Sequence, residues 1–89
     1  MEHVSGKITR GQEVAYDDVK MWIDVYEHGS LKKWSGGFTL PPGTFVELGE
    51  TYRVHLRDGR EGDMLIQKIS VGDHKGASVL FQGTGPLAR

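Results

Sequence analysis

Hydrophobic residues in this chain recur at every second position over short runs, and glycine or proline interrupts the runs about every eight to twelve residues. A period of two puts alternate side chains on opposite faces of an extended strand, so the pattern predicts strands with one buried face. Seven runs carry it: residues 3–10, 19–27, 31–40, 44–48, 50–57, 62–71 and 77–82. In the second, Val19, Met21, Ile23 and Val25 share one face, and Lys20, Trp22, Asp24 and Tyr26 the other. No window of ten or more residues sustains a helical period, and residues 12–20 offer only a candidate helical turn.

The punctuation predicts how the strands connect. A two-residue turn at His28-Gly29 would set Ile23 against Trp34 and Asp24 against Lys33, a core contact and an ion pair. Pro41-Pro42-Gly43 forces another turn, because proline fixes φ and glycine accepts the left-handed region. At Asp58-Gly59 a strict two-residue turn would carry Glu61 and Asp63 into the core, at a cost of several kcal/mol, on the order of that for burying a charge. Slipping the register by one sets Tyr52 against Ile66, Val54 against Met64 and Leu56 against Gly62 inside. Outside, His55 then faces Asp63 and Arg57 faces Glu61. The sequence therefore predicts an odd-length loop, or a tight turn with a bulge at Glu61-Gly62.

Short antiparallel strands in so small a chain are best closed on themselves, since closure removes exposed edges. The expected architecture is all-β: a small antiparallel, partly closed barrel of about six to seven short strands, SH3-like or of meander type. Eighty-nine residues make a single domain spanning 1–89, with a thin core. The absence of cysteine excludes a disulfide framework, a thiolate metal site and a cysteine nucleophile, and fits a reducing compartment. No run of apolar residues is long enough for a membrane span or a signal-peptide core, so the expected location is cytoplasmic.

Charge narrows the partners. With eleven basic and twelve acidic residues, a net charge of −1 argues against a dedicated duplex-nucleic-acid binder. A local stripe remains, because Arg53, His55 and Arg57 point outward along one strand, where they can grip an anion or pair with Glu61 and Asp63. Residues 53–57, RVHLR, have the R-x-x-x-R spacing of the box in PilZ-family barrels. The Asp/Asn-x-Ser-x-x-Gly motif that accompanies that box is missing, so the resemblance assigns nothing. Residues 79–83, VLFQG, resemble a viral cysteine-protease recognition sequence, yet they alternate as a strand and are taken as part of the fold.

Trp22 and Tyr26 beside Lys20 form the second candidate surface. Two aromatic residues on a nominally polar face make a contact platform. Alternatively, a flap at residues 11–18 covers Trp22 and makes it part of a second small core. The four histidines, His3, His28, His55 and His74, show no metal-ligand spacing, so neither a metal nor another cofactor is expected. No nucleophile–base motif, phosphate loop or carboxylate pair indicates an enzyme.

The expected function is a noncatalytic binding module that recognises a protein partner, another chain or a second copy of itself, through an outer sheet face and hairpin tips. Trp22, Tyr26, Arg53, His55 and Arg57 are the candidate contact residues. The alternative is single-stranded RNA or DNA binding, with Trp22 and Tyr26 stacking bases and Arg53 and Arg57 contacting phosphates. A small-molecule sensor or enzyme stands third.

Overall fold

A computed structural model describes residues 1–29, 31–41, 46–72 and 76–88. Its strands are β1 (Glu2–Arg10), β2 (Glu13–His28), β3 (Leu31–Leu40), β4 (Thr51–Leu56), β5 (Glu61–Gly72) and β6 (Gly76–Gly83). They close into one antiparallel barrel in the order β1-β2-β3-β6-β5-β4, with β4 returning to β1. Two three-stranded meanders, β1-β2-β3 and β4-β5-β6, therefore meet along two seams, β3–β6 and β1–β4. No pair of consecutive strands forms either seam.

Period-two burial fills the interior. Ile8, Ile23, Leu40, Val54, Met64, Ile66 and Val79 are fully buried, joined by Trp34, Phe38 and Phe81. Trp34 and Phe81 pack edge to face, with ring centroids 5.8 Å apart. Glycine makes this packing fit. A Cβ at Gly62 would lie 2.8 Å from Trp34 Cζ2, and one at Gly83 would overlap the indole. The chain after β6 then crosses this end of the barrel. Trp34 Nε1 donates to Gly85 O at 2.7 Å, and Ala88 exchanges two backbone hydrogen bonds with Glu61.

Residues 13–20 are strand, not a helical turn, and make up the first half of β2, with Gln12 in the turn before it. The register shifts twice there: Gly6 faces Val19, Ile8 faces Tyr16, and Thr9 faces Val14. Each shift leaves an extra residue on β2. Such bulges bend a strand, and they let the 16-residue β2 follow the barrel wall. The alternative of a flap at residues 11–18 over Trp22 does not hold: the chain turns at Gly11 (φ 62°) and pairs back onto β1 from Glu13 onward.

Other connections also differ from expectation. The β2–β3 turn lies one residue later than predicted, with His28 paired to Leu31 and Gly29 holding the positive φ of 68°. Trp34 accordingly faces Val25, and Lys33 faces Tyr26 rather than Asp24. In the β4–β5 hairpin Tyr52, Val54 and Leu56 point inward and the loop is odd in length, both as expected. The pairs are nevertheless shifted by two: Tyr52 with Met64, Val54 with Gly62, Arg53 with Asp63, and His55 with Glu61. Gly59 (φ 98°) closes a three-residue loop in which Leu56 exchanges backbone hydrogen bonds with Gly59 and Arg60. No bulge forms at Gly62, whose missing side chain instead admits Trp34. Of the predicted strand 44–48, residues 44–45 lie outside the described residues. Val46 is buried, and the chain then turns at Gly49.

Candidate functional site

The candidate residues fall into two outer patches. Opposite Trp22 on β1 is His3, whereas opposite Arg53 on β1 is Thr9. Six residues of strand separate those two positions, roughly 20 Å at ~3.3 Å per residue. Trp22 and Tyr26 share one outer face of β2. Arg53 and His55 belong to β4, and Arg57 to the turn that follows it.

The Arg53 patch is internally neutralised. Arg53 bonds Asp63 through Nη1 at 3.0 Å and Glu61 through Nε at 3.4 Å. These two bonds, Asp63 first, hold the guanidinium above its ordinary pKa. Arg57 reaches Asp18 at 3.3 Å on the neighbouring hairpin. Arg10 pairs with Glu47 and Glu50, and Arg60 with Asp58 and Glu2. Every described arginine therefore already has a carboxylate partner, and a phosphate would have to displace it.

His55 is held at both ring nitrogens. Nδ1 lies 2.9 Å from Glu61 Oε1, and Nε2 lies 3.1 Å from Thr9 Oγ1, which also donates to Arg53 O at 3.3 Å. Hydroxyl, imidazole and carboxylate stand in the order used to activate a nucleophile. Thr9 is 8% exposed, and of the three side chains only Glu61 lines the small cleft beside Arg53 and Asp63. Three strands, β1, β4 and β5, contribute one side chain each, so the chain of bonds braces the β1–β4 seam. Sequence reading anticipated Asp63 as the partner of His55; the two-residue register difference substitutes Glu61.

The Trp22 patch is open. One row of cross-strand neighbours runs His3, Trp22, Gly37, Leu80 and Lys68 across β1, β2, β3, β6 and β5. Gly37 has no side chain, so the row sags at its centre. The half-buried Trp22 leans into the gap, where an added Gly37 Cβ would meet Nε1 at 2.9 Å. Leu80, 42% exposed, forms the opposite wall. Ser35 and Thr39, two residues to either side of Gly37, continue a floor of small side chains. A cleft of about 1010 Å³ opens here, with Trp22, Leu80, Thr39, Ser78 and Lys20 among its walls. Tyr26 lies four residues farther along β2, 44% exposed and across from Lys33. Leu80 and Gly37 were not anticipated. An outward leucine in a strand whose Ala77, Val79 and Phe81 face inward was the available signal.

Among the described residues no cluster of histidine and acidic side chains is arranged to hold a metal ion, and no helix is long and apolar enough to cross a membrane. Fold and surface together define a small closed six-stranded antiparallel barrel with an aromatic trough on its outer wall. Comparison with protein-family models, with curated proteins and with solved structures finds no match.

Proposed function

We propose that this protein is a noncatalytic binding module that docks a segment of a protein partner in the trough between Trp22 and Leu80. One observation carries the reading. A tryptophan and a leucine face each other across a glycine on the outer wall, in an open cleft of about 1010 Å³, where a folded monomer gains nothing from leaving them uncovered. A half-buried tryptophan with one free side is a typical interface anchor: it is large, amphipathic and loses little conformational entropy on binding.

Single-stranded nucleic acid ranks second. Tyr26 beside Lys33 suits a stacked base with its phosphate, but the arginines that would follow a backbone are already ion-paired. A photo-crosslinking amino acid at position 22 or 80 tests the docking reading in cells, with position 7, on β1 and outside the cleft lining, as control. Discrete protein adducts from 22 and 80 but not from 7 are expected. Equal labelling from all three positions, or none from 22 and 80, would count against a docking trough.

A further inference from the structure

We infer that Asp17 and Asp18 guard an open edge of β2 against antiparallel pairing with a second copy of this chain, and so hold the barrel as a monomer. The edge is that of residues 13–20. On one side this stretch pairs with β1, from Arg10 opposite Glu13 to Ser5 opposite Lys20. On the other side the ladder with β3 begins only at Met21, opposite Phe38. Thr39 and Leu40 pair with β6, and β3 ends before Pro41, which has no N–H to carry a ladder further. Among the described residues no strand pairs with residues 13–20 on that second side. Such an edge offers backbone donors and acceptors to a passing strand. Its side chains add to the hazard, since Val14 is 52% exposed and Ala15 beside it is exposed as well.

Charge opposes the pairing. Two identical edges meet about a two-fold axis, so each register sets the stretch against its own reverse. Facing residues share a face of the sheet, and the axis therefore passes through a residue rather than between two. With the axis at residue 15, Glu13 faces Asp17. At 17 Asp17 faces its own copy, and at 18 Asp18 does. With the axis at 16, the two copies of Asp17 stand two residues apart along the ladder, roughly 7 Å. Lys20 meets a carboxylate only with the axis at 19, a register of three residues before β3 takes over the edge. Like charges placed opposite each other in a sheet are destabilising.

These carboxylates are free to repel. Glu13 and Asp17 make no ion pair among the described residues. Arg10, the cross-strand neighbour of Glu13, is taken by Glu47 and Glu50. Arg57 reaches Asp18 at 3.3 Å, but both side chains are largely exposed and the pair is weak. The two bulges in the same stretch twist its edge out of a flat register and reinforce the guard. Nothing in this guard depends on what occupies the trough.

The test is sedimentation velocity of the native chain, of Asp17→Asn/Asp18→Asn and of Asp17→Glu/Asp18→Glu, each shown to be folded by circular dichroism. The first variant removes the charges at nearly constant volume and the second keeps them. The asparagine variant is expected to self-associate at least tenfold more tightly than the native chain, and the glutamate variant to match the native chain. In the associated form, amide hydrogen exchange at residues 13–20 should slow. If the double asparagine variant does not fold, Asp17→Asn alone, which keeps the Asp18–Arg57 pair, should tighten association about threefold. A folded asparagine variant no more associated than the native chain overturns the inference. Association of the native chain through residues 13–20, or protection of other residues in the asparagine variant while 13–20 stay unprotected, overturns it as well.

Discussion

The two tryptophans make the most direct test of the structure, because the same truncation should have very different costs at positions 34 and 22. Trp34 is 2% exposed, packed edge to face on Phe81 and hydrogen-bonded to Gly85 O. Truncating a core aromatic residue costs about 3–5 kcal/mol, and stranding the Gly85 carbonyl beneath it adds about 1 kcal/mol. A domain of this size has a total stability of about 4–13 kcal/mol at ~0.05–0.15 kcal/mol per residue. Trp34→Ala should therefore remove between about a third and all of that stability. Trp22 rests on Gly37 from one side and opens onto the cleft from the other. Its removal forfeits about half the burial of a large apolar side chain and leaves no closed cavity, a loss of about 1–1.5 kcal/mol. Urea unfolding followed by far-ultraviolet circular dichroism reports both costs without depending on either fluorophore. Trp34→Phe, expected at about 2 kcal/mol because the hydrogen bond and part of the volume are lost, keeps the comparison measurable if the alanine variant does not fold. The residual fluorescence offers a second reading: Trp34 alone should emit to the blue of Trp22 alone. A Trp22→Ala cost of 3 kcal/mol or more, or a Trp34→Ala cost near 1, would refute the assignment of one residue to the wall and the other to the core.

Two further outcomes follow from close contacts. Gly83→Ala drives a methyl group into the Trp34 indole at a position with ordinary backbone geometry, so it should cost about 1–3 kcal/mol by overpacking, seen as a lower urea midpoint at unchanged slope. The Thr9, His55 and Glu61 brace predicts a coupling of about 0.5–1.5 kcal/mol between Thr9→Val and Glu61→Gln in a double-mutant cycle. Additive costs would show that His55 does not link them.

Strand identity was legible wherever side chains alternate, because a period of two fixes the buried face regardless of which strand lies alongside. Tyr52, Val54 and Leu56 point inward under either of two registers, and so the pattern alone could not separate them; Gly59 at the end of the loop decided it. Residues 12–20 looked irregular because their two bulges break the alternation within a single strand. The seams were not legible, since pairing β3 with β6 and β1 with β4 leaves no local mark. Alternation along β2 set Trp22 and Tyr26 on the side away from the core, but it could not say whether a flap covered Trp22. The trough needed Gly37 and Leu80, which belong to strands brought to either side of the seam β3–β6. Arginine pairing was equally hidden, as Arg57 finds Asp18 on a hairpin far away in sequence.

The way the two meanders close has a consequence for how the chain is made. Seam residues lie roughly forty to fifty positions apart in sequence, so both seams require large loops to close before any burial repays the lost chain entropy. A nascent chain that has released only β1, β2 and β3 carries half a core and two unpaired edges, and it cannot finish folding until β6 has left the ribosome. Folding should be slow for the chain's length, in milliseconds to seconds, and concentrated in one late step. Until then the surface open to aggregation is the same β3 edge on which the trough is later built.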